Sequence, residues 1–389
     1  MTRLLIFTGK GGVGKTSVAA AHARYSALEM KKTLIVSTDM AHNLSDIFEV
    51  PLGKTITQID DHLYGLEIDP NHMLEHEFSD MKKGLLTMIT SSGLPIEDVG
   101  QLSVIPGQDE LLSLLKILDI YESNAFDRII VDCAPTGETL ALLKFPELLS
   151  WYMEKFLPMG KVALRVLSPI SKTVFKIELP NKAAISDIEK LFIRMIELQA
   201  LLKNREVTSI RLVAMPEKMV VEETKRNFMY MNMYNFHVDG LYINRILPKD
   251  IDNPFFNEWI QIQSGFIEEL EAVFYNVPIY KIPWFDTDLN GMSGIDKIAS
   301  KVLEGKDVFA LVPDTHEDTY VKIEGGYVLK LYLPCAHKNQ VDMHESATDI
   351  ILKIGNFKRS IPKPNTLRDY SIQKAKFDED TLSITLVKA

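Results

Sequence analysis

Cysteine is nearly absent: Cys133 and Cys335 are the only two in 389 residues. So few thiols exclude a disulfide-stapled mini-protein and any four-cysteine metal site within one chain, and they suit a reducing compartment. Long apolar runs are missing as well. Nowhere do eighteen apolar residues run together, so no transmembrane helix is expected. The apolar stretch near the N-terminus, Leu4–Phe7, is too short for the core of a signal peptide. Basic surplus is absent too: 43 Lys and Arg stand against 53 Asp and Glu, a net charge of −10. That balance argues against a chain that coats nucleic acid, because phosphate binding needs excess positive charge. There is no internal repeat and no low-complexity tract. The expectation is a cytoplasmic protein with no integral membrane segment. What remains is ordinary globular composition, 46 % hydrophobic and 25 % charged. At roughly 150 residues per domain the length suits two to three domains.

Short apolar runs alternate with helical patterns over roughly the first 300 residues. Leu4–Thr8, Thr33–Ser37, Leu63–Ile68, Arg128–Asp132, Ser209–Ala214, Val238–Asn244 and Val277–Ile282 read as strands. Near-continuous apolar strands separated by helices predict an α/β fold, a mostly parallel sheet covered by helices. Residues 145–206 break the alternation and read as a helical insertion, with Ile185, Ile188, Leu191, Phe192, Met195 and Leu198 at helical spacing. This insertion either buries its own apolar face or offers an apolar groove with a basic rim, where Met153, Met159 and Met195 would suit varied partners. From Tyr320 onward the period drops to two and eleven basic residues outnumber eight acidic ones. Tyr327–Leu333, Asp349–Ile354 and Thr381–Val387 read as half-exposed strands. The expected organisation is therefore residues 1–306, a linker over 307–319, and a separate all-β sandwich over 320–389.

One motif carries chemistry. Gly9-Lys10-Gly11-Gly12-Val13-Gly14-Lys15-Thr16 satisfies G-x-x-x-x-G-K-[ST] between a strand and a helix, with Ser17 following. Glycines allow backbone N–H groups to wrap phosphates, and the helix N-terminus adds partial positive charge. Lys15 is placed to reach the β- and γ-phosphates of ATP, and Thr16 to offer its hydroxyl to Mg²⁺. Lys10 is an extra lysine, either a solvated charge or a group that stabilises transferring phosphate across a dimer.

The order Lys-Gly-Gly-Val-Gly-Lys-Thr is the deviant Walker A form of the MinD/ParA/ArsA superclass of P-loop NTPases. Ser37-Thr-Asp39-Met-Ala-His-Asn-Leu-Ser-Asp46 resembles the first switch of the ArsA family, and Asp132-Cys-Ala-Pro-Thr-Gly-Glu-Thr-Leu140 resembles its second. The resemblance covers roughly residues 1–305. It implies that Asp39 orients or activates the attacking water and that Asp132 holds Mg²⁺. It implies further that Lys10 contacts nucleotide in a partner subunit, that Asn244 recognises adenine, and that Pro283 opens the adenine loop with Trp284 and Phe285. Three positions depart from the family pattern: Met40 for proline, Cys133 for threonine and Glu138 for histidine. The residues from Tyr320 on resemble an α-crystallin, or small heat-shock protein, module.

The family includes arsenite-pump ATPases and the ATPase that delivers tail-anchored proteins. The resemblance thus implies a homodimer acting as a chaperone or targeting factor for hydrophobic segments, with a tail-anchored client and a transient membrane-protein partner. The alternative is an ATPase that energises an anion efflux pump. A positioning ATPase of the ParA or MinD kind fits less well, because the chain ends in β structure and the first 319 residues are acidic. Two features bear on the choice. Metalloid sites in arsenite pumps use cysteine thiolates, and a three-thiol site is not available in one chain. The zinc clamp of the eukaryotic targeting factor uses a C-x-x-C pair, and Leu247–Gln263 contains no cysteine. A dimer of this chain must be held another way.

Overall fold

The computed structural model describes residues 2–39, 43–70, 72, 108–133, 187–251, 253–312, 318–346 and 348–388. Contacts divide the chain into two compact units, one of residues 1–72, 109–142 and 200–315, the other of 73–108, 143–199 and 316–389.

The first unit is built on an eight-stranded sheet. Its strands in chain order are β1 (Arg3–Thr8), β2 (Thr33–Ser37), β3 (Thr57–Asp60), β4 (Leu63–Glu67), β5 (Arg128–Asp132), β6 (Thr208–Ala214), β7 (Val238–Ile246) and β8 (Ile279–Pro283). Their spatial order is β3-β4-β2-β5-β1-β6-β7-β8, parallel except at the β3–β4 edge. The central strand explains itself: Leu4, Leu5 and Phe7 are completely buried, as expected for a strand covered on both faces. The helices that follow in chain order are α1 (Lys15–Leu28), α2 (Asn43–Phe48), α3 (Gln108–Glu122), α4 (Asp187–Lys203), α5 (Lys218–Met233), α6 (Pro254–Val273) and α7 (Gly291–Ile298), with residues 187–199 of α4 belonging to the second unit. α1 carries Ala19, Ala20, Ala21 and Ala23, all buried, so its backbone lies close against the sheet.

All seven strands read from the sequence are present. The edge strand β3 was not among them, since its four residues are half exposed and lack an apolar run. The last strand begins at Ile279 rather than Val277, because the Val277 N–H bonds back to the Phe274 carbonyl in a turn. Within the stretch expected to be a helical insertion, α4 is the described part. Its Met195 is 1 % exposed. It is a core residue and not the lining of an open groove. Met153 and Met159 lie outside the described residues.

The C-terminal residues form two antiparallel sheets: β9 (Thr319–Ile323), β10 (Gly326–Tyr332), β14 (Tyr370–Asp378) and β15 (Thr381–Lys388) in the order β14-β15-β10-β9, and β11 (Val341–Glu345), β12 (Asp349–Ile354) and β13 (Phe357–Pro362) in sequence order. Leu382, Ile384 and Leu386 alternate inward on β15, as do Ile350, Leu352 and Ile354 on β12. Four of these seven strands escaped the sequence reading. β9, β11 and β14 are largely exposed and carry charges, so they lack the apolar rhythm of a half-buried strand. β13 buries Phe357 and Ile361 only, with Pro362 at its end.

Candidate functional site

The parallel strands end together on one edge of the sheet, and the candidate residues sit there. Phe7 and Ser37 both pair with Asp132, so β1, β2 and β5 finish in register. The Cys133 N–H bonds the Phe7 carbonyl at 3.1 Å, and the Thr38 N–H bonds the Asp132 carbonyl at 3.1 Å. The glycine-rich loop leaves β1, Asp39 follows β2, and Asp132 closes β5. Ligands in open α/β sheets bind at this edge.

Two glycines show why the loop needs them. A Cβ on Gly9 would lie 2.2 Å from the Val213 carbonyl oxygen. Gly14 holds a left-handed φ of 91°, and its Cβ would lie 2.3 Å from the Asn244 amide nitrogen. Any side chain at either position displaces the loop. Gly14 is also the residue from which α1 starts, so the loop's N–H groups gather at a helix N-terminus. Lys15 is 7 % exposed, and its ammonium reaches back to the Lys10 carbonyl at 3.4 Å. Lys10 itself is half-buried, Gly11 and Gly12 are exposed and Val13 is buried. Thr16 and Ser17 occupy the first turn of α1.

Asp132 is the electrostatic centre of the site. It is completely buried, and among the described residues neither carboxylate oxygen has a hydrogen-bond partner of good geometry. Burial pushes its pKa up to about 7. The nearby Thr16 hydroxyl and Lys15 ammonium pull it down, and Asp39 pushes it further up. A buried carboxylate without a partner is costly unless a cation or a proton completes it. With the Thr16 hydroxyl beside it, this oxygen donor set fits a hard divalent cation. Asp39 is half-buried, and its N–H bonds the Ser37 hydroxyl at 3.1 Å.

A second group of candidates lines a pocket of about 370 Å³ beside the loop. Gly14, Ser17, Asn244 and Pro283 share it with Val18, Arg245, Trp284 and Phe285. Asn244 ends the strand expected over Val238–Asn244; β7 runs on to Ile246, and its pairing with β8 shifts register between Ile243 and Ile246. Arg245 in this bulge has a φ of 55°. A bulge re-aims side chains, and here the Asn244 amide donates to the Val13 carbonyl of the loop at 2.8 Å. Arg245 escaped the sequence reading, because nothing in a strand's apolar pattern announces a bulge. Val18 and Ile298 also line this pocket; in the sequence they read as ordinary apolar helix positions.

Beneath the site lies a buried polar network that the sequence did not suggest. His22 of α1 bonds the Tyr242 hydroxyl at 2.8 Å, and burial holds its pKa well below the usual imidazole value. Arg211 bonds Asp239 at 3.1 Å, the Tyr242 hydroxyl at 3.1 Å and the Val308 carbonyl at 2.5 Å. Burial opposes the charge on Arg211, but Asp239 and the two tyrosine hydroxyls nearby hold it firmly protonated. Tyr242 stacks on Tyr280 with ring centres 4.7 Å apart. The loop's helix is thereby bonded to the strand that carries Asn244.

The family described as Anion-transporting ATPase matches residues 2–304. The chain belongs to that family, the ArsA ATPases. The HSP20-like domain found in ArsA matches residues 324–386. An ArsA-family relative of Chlorobaculum tepidum, named as an arsenical pump-driving ATPase, is 32 % identical, covering 98 % of this chain and 95 % of its own length. A similarly named protein of Aquifex aeolicus is 29 % identical over 98 % of this chain and 99 % of its own. The ATPase get3 of Pyrenophora tritici-repentis is 30 % identical over 78 % of this chain and 91 % of its own. This ArsA-family chain is an ATPase and binds nucleotide. Among the described residues no helix is long and apolar enough to cross a membrane.

Proposed function

We propose that the protein is a Mg²⁺-dependent ATPase whose cycle drives the capture and release of hydrophobic protein segments. The observation that carries the ATPase chemistry is the buried, unpartnered Asp132 in register with the ends of β1 and β2, next to Lys15 and Thr16. In this reading the N–H groups of residues 9–17 and the Lys15 ammonium bind the phosphates. Thr16 and Asp132 would hold Mg²⁺, which would supply charge neutralisation when bound. Asp39 orients the attacking water and accepts its proton, and Lys10 steadies the transferring phosphate from a second copy of the chain. Asn244 hydrogen-bonds the base in the pocket that Pro283 helps to wall. Residues 1–306 are the ATPase domain and 320–389 a distinct β domain, joined by 307–319. The protein works in the cytoplasm as a homodimer that meets a membrane protein transiently.

The scarcity of thiols favours a hydrophobic client over a metalloid, while the names of full-length relatives favour an arsenical pump. The deciding experiment measures ATP turnover by wild type and Asp39→Asn with arsenite, antimonite or a hydrophobic helical peptide. Stimulation or ATP-dependent capture by the peptide alone supports the targeting reading. Stimulation by a metalloid overturns it in favour of the pump. Wild-type turnover no higher than that of Asp39→Asn under every condition refutes the role given to Asp39.

A further inference from the structure

Beyond α7 the chain leaves the family match at residue 304 and runs on toward β9, yet two of its residues are drawn back into the molecule. Val308 and Phe309 are buried, while residues 304–307, 310 and 311 around them are exposed. Three arginines hold them, one from each of the adjacent strands β5, β1 and β6. Arg211 of β6 donates to the Val308 carbonyl at 2.5 Å, and Arg3 of β1 donates to the Phe309 carbonyl at 3.4 Å. The guanidinium of Arg128 on β5 lies 3.6 Å from the centre of the Phe309 ring. A cation over an aromatic face is attracted by the ring's quadrupole, more strongly when desolvated. Two carboxylates pair with the three arginines: Asp239 with Arg211 and Arg3, and Glu29 with Arg128. The two carbonyls and the ring face add to the negative potential around them. Bonds from ionised donors are the strong ones, so charge as well as burial seats this segment.

The far side of the same contact is α1, the helix that begins at the phosphate loop. The Phe309 ring stacks on Tyr25 with ring centres 6.3 Å apart and meets His22 edge-on at 6.2 Å. His22 also ends a hydrogen-bond chain whose direction is fixed at every link. A carbonyl can only accept, so His22 Nδ1 donates to the Val18 carbonyl at 2.8 Å and carries the ring's proton. Burial keeps the imidazole neutral, so Nε2 accepts from the Tyr242 hydroxyl at 2.8 Å. The Tyr242 oxygen accepts in turn from Arg211 Nη1 at 3.1 Å, while Arg211 Nη2 holds Val308. The chain thus runs from Val308 to Val18. Val18 lines the pocket beside the loop, and its N–H bonds the Gly14 carbonyl at 3.1 Å. Tyr242 also stands two residues before Asn244 on β7.

We propose that residues 307–310 form a latch on nucleotide binding. With Val308 and Phe309 seated, α1 and Asn244 are held where they bind nucleotide; with the latch open, that support is withdrawn. The proposal rests on the nucleotide reading of the glycine-rich loop. Coupling between two sites is reciprocal, so latch closure and nucleotide binding favour each other by the same factor. The stretch of chain that leads to the C-terminal β domain is thereby tied to nucleotide affinity.

Titration of the full chain with a fluorescent ATP analogue, combined with hydrogen exchange, tests this. In the wild type, saturating analogue with Mg²⁺ is expected to slow exchange of the peptide 305–311 about tenfold, within the usual range for coupled sites. Phe309→Ala is expected to weaken analogue affinity and raise the KM for ATP by the same factor, with kcat within about threefold and an unchanged far-UV spectrum. Phe309→Tyr keeps an aromatic face against Arg128 and is expected to bind within about threefold of wild type. Tyr242→Phe cuts the hydrogen-bond chain but leaves the Phe309 ring contacts with Arg128 and Tyr25, so nucleotide is expected to lose its effect on exchange at 305–311. Exchange there that ignores saturating analogue in the wild type overturns the proposal. So does a Phe309→Ala protein that exchanges faster at 305–311 yet binds the analogue as tightly as wild type. If Phe309→Ala fails to fold, exchange in wild type and Tyr242→Phe still decides. A wild type that binds no analogue refutes the nucleotide reading itself, and the latch with it.

Discussion

At Asp132 the requirements of stability and of chemistry conflict. Its folded pKa of about 7 lies far above the ordinary aspartate value, with burial as the main cause. The folded state therefore binds a proton more tightly than the unfolded one. Stability of the nucleotide-free protein is expected to fall as pH rises from about 4 to about 7, and the penalty is fully present above that window. Asp132→Asn removes the charge and should raise stability at pH 8 by about 1–3 kcal/mol, the usual cost of one buried unsatisfied polar group. The same change should abolish Mg²⁺-dependent turnover. Thermal melts from pH 5 to pH 8 check the slope, which the substitution should flatten. Asp39 is half-buried and lies beside the loop, so Asp39→Asn should lower turnover about 100-fold or more while ATP affinity stays within about threefold. Gly14→Ala should fail differently. Its Cβ meets the Asn244 amide at 2.3 Å at a left-handed φ, so nucleotide affinity itself should be lost in a binding titration.

Individual elements owe their placement to a few buried polar contacts. Arg211 on β6 joins Asp239 and Tyr242 of β7 to the carbonyl of Val308, which lies beyond α7. Arg211→Ala would leave the Asp239 carboxylate buried without its main partner, and such a loss costs about 3–5 kcal/mol. Replacing both residues by apolar ones, Arg211→Met with Asp239→Leu, should recover most of that loss. Chemical denaturation of the two single variants and the double variant measures the coupling. The bulge in β7 is the second decisive element feature. Without the register shift between Ile243 and Ile246 the Asn244 side chain would not turn toward the Val13 carbonyl. A strand's period-two pattern was legible from Val238 onward, but the bulge depends on how β8 pairs with it. No local sequence signal states that pairing.

For the whole molecule, two compact units imply two units of stability. Nucleotide binds only folded protein, so saturating MgATP should stabilise the unit that contains residues 1–72 by mass action. The expected gain is about 2.7 kcal/mol at a hundred times the dissociation constant. Calorimetry should show a transition that moves upward with MgATP and a second, from the C-terminal β sheets, that does not. Movement of both together would show that the units unfold as one. The β sheets themselves were only partly legible. β12 and β15 announced themselves through alternating Ile and Leu, whereas β9, β11 and β14 are stabilised by pairing to β10, β12 and β15 rather than by their own apolar faces.

The sequence by itself determined the family, the α/β sheet, the phosphate loop and the lack of enough cysteines for a three-thiol site within one chain. Those properties are local: an apolar run, a glycine spacing and a residue count need no partner distant in the chain. Tertiary structure alone decided that Asp132 lies buried without a hydrogen-bond partner among the described residues, that Asn244 faces a loop residue 231 positions away in the chain, and that Met195 is core. It also decided that Phe255, Trp259 and Ile262 stay outside while equally apolar side chains are buried. Apolarity states that a side chain gains by leaving water, but only the packed neighbours fix which surface removes it from water.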